Sequence, residues 1–148
     1  MASVSHLMDK KSDGTNYTVE SSASVLNALE VMADANISAV MVVEEKKIIG
    51  IFTERDYTRK GELKGQCAKD TLVKGLMTEE MLTVSPATSI DQCMELMNQY
   101  KIRHLPVVAD GVMVGMVSIR DVVEMVLADR DSAIIGRENY IIGSGFST

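Results

Sequence analysis

Two segments of the chain carry the same pattern, Gly50-Ile51-Phe52-Thr53-Glu54-Arg55-Asp56 and Gly115-Met116-Val117-Ser118-Ile119-Arg120-Asp121. Each segment has a glycine in an apolar run, then a hydroxyl residue, then an Arg-Asp pair. The run before the hydroxyl suits a β-strand, and the hydroxyl suits the start of a helix. Because the pattern recurs at an offset of 65 residues, it indicates an internal duplication.

The duplication extends well beyond these two segments. When residues 18–57 are laid over 83–122 without a gap, 11 of 40 positions are identical. Val4, Leu7 and Met8 are also echoed by Val73, Leu76 and Met77, at an offset of 69. The extra residues of the first copy fall in the polar stretch Asp9–Asn16, which predicts a loop. We therefore expect three parts: a first repeat at 1–62, a second repeat with its linker lead-in at 63–128, and a tail at 129–148.

The same order of elements can be predicted in both repeats. A short extended piece (Tyr17–Val19 or Leu82–Val84) precedes apolar positions at helical spacing, at 25, 28, 29 and 32 and again at 90, 93, 94 and 97. Two β-branched runs follow, joined by Glu44–Lys47 in the first repeat and by Asp110-Gly111, a strong hairpin signal, in the second. A final helix opens at Thr53 or Ser118. The sequence thus predicts an α/β (α+β) fold of two β-α-β-β-α repeats. Each repeat is too small to bury a core alone, so the two should pack through their sheets.

Composition excludes several classes of protein. The chain has 148 residues, 46% of them hydrophobic, and a net charge of −6, which favours a folded domain over disorder. Both nucleic acids and anionic membranes need a concentrated basic surface, and the sequence has no Lys/Arg-rich run, so neither is expected as a partner. The first residues lack the apolar core of a secretory signal, and we expect a cytoplasmic protein. Ile134-Ile135 and Tyr140-Ile141-Ile142 in the tail could cap the module or contact a second subunit.

The sequence offers little that is typical of catalysis. Its two histidines, His6 and His104, lie in no nucleophile or metal-ligand pattern, and there is no phosphate-binding glycine loop. Cys67 and Cys93 form no CxxC pair, and we expect two free thiols, with Cys93 buried on a helix. We therefore predict neither an enzyme nor a metal site.

The repeated hydroxyl-x-x-Asp spacing allows two interpretations. It fits a helix start, with Thr53 or Ser118 as N-cap and the Asp reaching back in a capping box. A hydroxyl and a carboxylate can also hold the two hydroxyls of a ribose, and an arginine at a helix start suits a phosphate. A cap needs neither the preceding arginine nor a glycine inside the strand, so these two features favour a ligand.

The motifs resemble a tandem pair of cystathionine β-synthase (CBS) domains, also called a Bateman module. The likeness is carried by the duplicated element order, the two Gly-x-x-(Thr/Ser)-x-Arg-Asp segments, the Met-Thr-x-x-x-x-Thr-Val-x-Pro lead-in at Met77–Pro86, and Ile102–Val108. It extends from about Val4 to Ala128 and is greatest to stand-alone CBS pairs. The resemblance implies pseudo-two-fold symmetry and a non-catalytic sensor. Such a sensor needs no cofactor and takes AMP, ADP, ATP, NAD or S-adenosylmethionine as a regulatory ligand between the repeats.

The resemblance also implies roles for individual residues. Ribose binding carries over to Asp56 and Asp121, with Thr53 and Ser118 beside them. Adenine contacts carry over to Thr18, Thr83, Ala39, Met41, His104 and Pro106, and phosphate contacts to Arg55, Arg103, His104 and Arg120. Because Ser38-Ala39 stands where the second repeat has Arg103-His104, the two clefts should bind unequally. A homodimer that regulates an enzyme or transporter is expected; the alternative is a ligand-free scaffold for protein interaction or dimerisation.

Overall fold

The computed structural model describes residues 2–10 and 17–134. The helices of its first half are α1 (Val4–Lys10), α2 (Val25–Ala35) and α3 (Glu54–Asp56), the last continuing as a π-helical turn (Tyr57–Gly61) and a 3-10 turn (Glu62–Lys64). A further 3-10 turn (Val73–Gly75) precedes α4 (Ile90–Tyr100) and α5 (Ile119–Ile134). The strands are β1 (Thr18–Glu20), β2 (Ala39–Glu44), β3 (Lys47–Thr53), β4 (His104–Ala109) and β5 (Val112–Ser118).

The helices α2 and α4 begin and end in the same way. Ser24 and Ser89 are their N-caps, and each serine oxygen accepts a hydrogen bond from the backbone N–H three residues later. Both helices end at a residue with left-handed backbone, Asn36 at φ 55° and Lys101 at φ 56°. The helices predicted from apolar spacing are therefore confirmed.

The two described sheets differ in their first strand. In the first repeat β1 pairs in parallel with β2, which pairs antiparallel with β3. In the second repeat β4 pairs with β5, and the predicted extended piece Leu82–Val84 supplies a bridge from Val84 to Val107 instead of a strand. In the first repeat the Met41 N–H donates to the Tyr17 carbonyl, which joins β1 to β2. The equivalent residue of the second repeat is Pro106, which has no N–H to donate, so the second repeat lacks this hydrogen bond.

Both hairpins turn through two residues of positive φ. Asp110 and Gly111 have φ of 52° and 78°, and Glu45 and Lys46 have φ of 51° and 67°. This is the backbone that a tight two-residue hairpin requires. The charged turn of the first repeat therefore has the same geometry as the Asp-Gly turn of the second, with its lysine exposed.

Each repeat contributes its N-terminal segment to the hydrophobic core of the other repeat. Val4 and Leu7 of α1 are buried in the cluster of the second repeat, beside Cys93 and Leu105. The lead-in at 73–77 is buried in the cluster of the first repeat. The segment before each repeat thus packs into the other repeat, so the residue boundaries predicted above, which stay a prediction, are not boundaries of packing.

A third buried cluster joins the two sheets. It consists of Ala39 and Met41 from β2, Ile51 from β3 and Met116 from β5. The predicted α+β architecture, two repeats packed through their sheets, is confirmed.

Three further expectations concern loops, termini and thiols. Asp9 and Lys10, predicted as the start of a loop, instead end α1, because the helix of the apolar lead-in continues through them. Residues 11–16 and the tail segment Tyr140-Ile141-Ile142 lie outside the described residues, as does Ile135. Cys67 is exposed and free, and Cys93 is free and buried on α4, as predicted.

Candidate functional site

A cleft of about 620 Å³ lies between the two repeats. One wall is the Thr53–Asp56 motif of the first repeat with Ser38 and Ile51, and the opposite wall comes from the second repeat. The remaining lining residues come from the linker and from the end of α4 onward: Thr78, Glu80, Met81, Leu82, Tyr100, Ile102, Arg103, His104 and Pro106. The volume falls within the usual range for small-molecule sites.

Asp56 lines this cleft and also caps α3. Its Oδ2 accepts the Thr53 N–H at 3.0 Å, and its own N–H donates to Thr53 Oγ1 at 3.0 Å. Asp121 and Ser118 repeat this capping box, with distances of 2.8 and 3.1 Å. The capping interpretation is therefore confirmed in both repeats.

The other carboxylate oxygen of Asp56 is held by the linker and by the π-helical turn. Oδ1 accepts the Thr78 hydroxyl at 2.9 Å and lies 3.3 Å from Lys60 Nζ. Lys60 also donates to the Leu76 and Met77 carbonyls at 3.2 and 3.4 Å. Asp56 is 9% exposed, so its carboxylate is fixed in one orientation at the cleft surface.

The arginines of the two motifs contact the opposite repeat. Arg55 Nη1 donates to the Lys101 carbonyl at 2.9 Å, and Arg120 Nη1 donates to the Asn36 carbonyl at 3.4 Å. These contacts give both arginines a structural reason, so their presence in the motif does not by itself favour a ligand. Phosphate binding by Arg55 and Arg120 stays a prediction.

Gly50 has a structural reason as well. A Cβ at this position would lie 2.8 Å from the Thr78 carbonyl and 3.0 Å from Met77 Sδ. The linker passes this close because Thr78 and Ile51 exchange backbone hydrogen bonds of 2.8 and 3.0 Å. The register also shifts between Val42 and Val43, opposite this point. The glycine therefore accommodates the linker backbone and a bulge, and it is not evidence of a ligand.

Arg103 and His104 form the basic part of the cleft. The Arg103 side chain is exposed and makes no hydrogen bond or ion pair within residues 2–10 and 17–134. His104 Nε2 lies 3.3 Å from Ser38 Oγ, across the junction of the repeats. Arg55 donates to the Lys101 carbonyl, whereas Arg103, the other arginine that lines this cleft, has no side-chain partner among the described residues.

The structure brings six of the thirteen predicted ligand residues to this cleft. They are Thr53, Arg55, Asp56, Arg103, His104 and Pro106. Ser118, Arg120 and Asp121 form the equivalent motif of the other repeat.

The structure does not bring Thr18, Thr83, Ala39 or Met41 to this cleft. Ala39 and Met41 are buried between the sheets, because alternate side chains of β2 point to that interface. Thr18 is exposed on β1, and Thr83 faces a smaller depression of about 300 Å³.

Sequence reasoning missed several residues of the cleft. Lys60 and Thr78 hold Asp56, and Glu80, Met81 and Tyr100 line the walls. The lead-in motif at 77–86 contained Thr78, Glu80 and Met81 and could have pointed to them. Lys60 lies four residues after Asp56, a helical spacing that could have indicated this ion pair, but its linker partners lie 16 to 18 residues further along the chain.

Other chemistry has little support in the described part of the chain. No group of three or more His, Cys, Asp or Glu side chains there is arranged to hold a metal ion. None of the helices within 2–10 and 17–134 is both long and apolar enough to cross a membrane. Burial raises the pKa of the Cys93 thiol, which disfavours a reactive thiolate at that position.

The exchanged lead-ins, the paired motifs and the cleft between the sheets define a tandem-repeat module. The family model of the CBS domain matches this chain twice, at residues 4–61 and 73–128. The protein belongs to the CBS-domain family, and the resemblance seen in the sequence is confirmed.

Known members of the family are similar over most of the chain. The CBS domain-containing protein CBSX3, mitochondrial, of Arabidopsis thaliana is 39% identical over 139 residues, covering 90% of this chain and 68% of that protein. A solved structure of a protein with CBS domains from Burkholderia ambifaria MC40-6 is 40% identical with a TM-score of 0.79, covering 87% of this chain and 96% of that one. CBSX2, solved in complex with AMP, is 25% identical with a TM-score of 0.70, covering 88% of this chain and 99% of that one.

Proposed function

We propose that the protein is a non-catalytic regulatory module that binds an adenosine nucleotide in the cleft between Asp56 and Arg103. The observation that carries the proposal is the juxtaposition, in one cleft of about 620 Å³, of an oriented carboxylate and an exposed arginine that has no side-chain partner among the described residues. The bound AMP of the relative CBSX2 supports the class of ligand. Ligand binding would alter a partner by favouring one arrangement of the repeats.

Capping and ribose binding are compatible at Asp56. A carboxylate offers about four lone-pair sites. Three are occupied, by the Thr53 N–H, the Thr78 hydroxyl and Lys60, so one remains for a ribose hydroxyl. Thr53 Oγ1 accepts the Asp56 N–H, and its own hydrogen is available to the neighbouring ribose oxygen. The pair can therefore hold both hydroxyls without breaking the cap.

The remaining walls suit the other parts of a nucleotide. Ile51, Met81, Leu82 and Pro106 supply apolar surface for a purine ring. Arg103 is placed for a phosphate, which guanidinium groups bind through paired donors. Glu54 and Glu80 also line the cleft, so the positive charge is local and suits a small number of phosphates.

Titration calorimetry with AMP, adenosine and GMP tests the proposal. We expect wild-type protein to bind AMP more tightly than adenosine and more tightly than GMP. Arg103→Ala should weaken AMP binding about tenfold and leave adenosine binding nearly unchanged. Arg59→Ala is the matched control, because Arg59 is exposed and does not line the cleft. The absence of heat with AMP, ADP, ATP, NAD and S-adenosylmethionine would reject the proposal.

A ligand-free scaffold is the second candidate. It is favoured by the finding that Arg55, Arg120 and Asp56 all have partners within the protein. Thermal unfolding separates the two candidates, because a ligand that binds the native state must raise the midpoint. Unchanged midpoints with all adenylates, together with a dimer in sedimentation, would favour the scaffold. A homodimer, a regulated enzyme or transporter, and a cytoplasmic location stay predictions from the sequence.

A further inference from the structure

Arg55 and Arg120 make equivalent contacts on the two sides of the junction between the repeats. The carbonyl that accepts from Arg55 belongs to Lys101, and the one that accepts from Arg120 belongs to Asn36. These two residues end α4 and α2 in the left-handed conformation. Each arginine therefore reaches from the Arg-Asp motif of one repeat to a helix end of the other.

A helix end is a suitable partner for arginine. The last carbonyls of a helix have no partner within the helix, and they carry a partial negative charge. A guanidinium supplies a charged donor at the end of a long side chain, which can cross from one repeat to the other. The guanidinium of one repeat thus donates a hydrogen bond to a helix-end carbonyl of the other repeat.

The contact is common to both repeats, whereas the basic pair is not. Both motifs keep the arginine, yet Arg103-His104 is replaced by Ser38-Ala39 in the first repeat. If the motif arginine served mainly to bind phosphate, it would be expected together with the other basic groups. The arginine instead accompanies the helix end, which both repeats have.

The contact also lies at the start of one wall of the cleft. Lys101 is followed directly by Ile102, Arg103 and His104, which form the wall opposite Asp56. Fixing the Lys101 carbonyl against Arg55 fixes where this wall begins. We propose that Arg55 is a positioning residue that sets the distance between Asp56 and Arg103, and that it is not the group that binds the phosphate.

The first test compares the affinities of AMP and adenosine, which differ only in the phosphate. This test rests on the proposed function, because it requires that the protein bind these ligands. Arg55→Ala should weaken the binding of both ligands by the same factor, about fivefold, so that their ratio is unchanged. Arg55→Lys keeps a charged donor and should restore most of the affinity. Arg103→Ala should weaken AMP alone. A loss confined to AMP in Arg55→Ala, or no loss for either ligand, would overturn the inference.

Hydrogen exchange tests the same contact without any ligand. The Ile102 amide bonds to the Met97 carbonyl at the end of α4. We expect it to exchange several-fold faster in Arg55→Ala and at the wild-type rate in Arg103→Ala. In the matched variant Arg120→Ala, the amide that exchanges faster should instead be that of Ile37, at the end of α2. Unchanged exchange at Ile102 in Arg55→Ala would overturn the inference even if the wild-type protein binds neither ligand, a result that would count separately against the proposed function.

Discussion

In the first repeat the Arg-Asp pair lies in the short helix α3, which continues as a π-helical turn, whereas in the second repeat it lies in the first turn of α5, a helix of 16 residues. The difference places Lys60 beside Asp56, while the equivalent residue of the second repeat, Met125, is buried in the core. The lead-in of the second repeat forms a 3-10 turn at Val73–Gly75, whereas the equivalent lead-in at the start of the chain forms α1.

What the repeats share is different in kind. Both keep the capping box, the contact from arginine to a helix end, and the hairpin with a register shift. The comparison teaches that the duplicated sequence motif preserves the frame, whereas the residues around the motif, such as Lys60 and Met125, differ between the repeats.

The largest expected effect comes from a fully buried core position that differs in size between the repeats. Phe52 and the equivalent Val117 are both fully buried. Phe52→Ala should lower the free energy of unfolding by about 3–5 kcal/mol, because it leaves a large cavity. Val117→Ala should lower it by about 2 kcal/mol, since fewer atoms are removed. Urea denaturation followed by circular dichroism measures both.

The same experiment tests whether the repeats are independent. Because α1 is buried in the second cluster and the lead-in of the second repeat in the first cluster, we expect one cooperative transition in both variants. Two separate unfolding transitions in Phe52→Ala would show that the repeats unfold independently. A larger loss of unfolding free energy in Val117→Ala than in Phe52→Ala would contradict the expected order of the two variants.

A smaller effect is expected at Lys60, where the repeats differ in charge. Lys60→Met introduces the residue found at the equivalent position of the second repeat. It removes the contacts to Asp56, Thr78 and two linker carbonyls. Because the side chain is 43% exposed, the free energy of unfolding should fall by only about 1 kcal/mol.

The local consequence of Lys60→Met is more specific. The Thr78 amide, bonded to the Ile51 carbonyl, should exchange faster with solvent because the linker loses its anchor. The control is Lys64→Met, at an exposed lysine on the neighbouring 3-10 turn. Equal exchange at Thr78 in both variants would show that Lys60 does not hold the linker.

Much of the fold could be predicted because the signals are local. The spacing of apolar residues predicts α2 and α4, and the Asp110-Gly111 pair predicts a hairpin. The loss of a strand at Leu82–Val84 was not predicted, because it depends on Pro106, which pairs with this segment only in the folded sheet. The echo of Val4 by Val73 was visible, but the exchange of the two lead-ins is a tertiary arrangement with no local signal.

The candidate site was predictable to a lesser degree. The capping box is contained within four residues, so its spacing could be recognised. The role of Arg55 could not, because its partner lies 46 residues away. Gly50 was recognised as unusual, but the backbone that passes it belongs to the linker, and sequence spacing does not give that distance.

The smallest expected effect concerns Glu44, whose equivalent in the second repeat is Ala109. Alanine cannot make the polar contacts that Glu44 makes. Glu44 Oε1 accepts the Ser21 hydroxyl at 2.8 Å and the Lys74 ammonium at 3.1 Å. The Ser21 hydrogen bond, followed by Lys74, holds the pKa of Glu44 below its ordinary value of 4.5. A depressed carboxyl pKa contributes stability that is complete above the ordinary pKa and is lost as the pH falls through the folded-state pKa.

Titration of the Glu44 side-chain carbon by NMR measures this effect in wild-type protein, Ser21→Ala and Lys74→Met. Both variants should raise the Glu44 pKa toward 4.5, because the Ser21 hydrogen bond is the largest single cause of the lowered pKa and Lys74 adds both a hydrogen bond and a charge. Lys69→Met is the control for a general loss of positive charge near the linker. Since Glu44 is on the surface, the accompanying change in acid stability should be small and should fade with added salt. If Lys69→Met and Lys74→Met raised the Glu44 pKa equally, the cause would be the general positive charge near the linker and not the specific contact with Lys74.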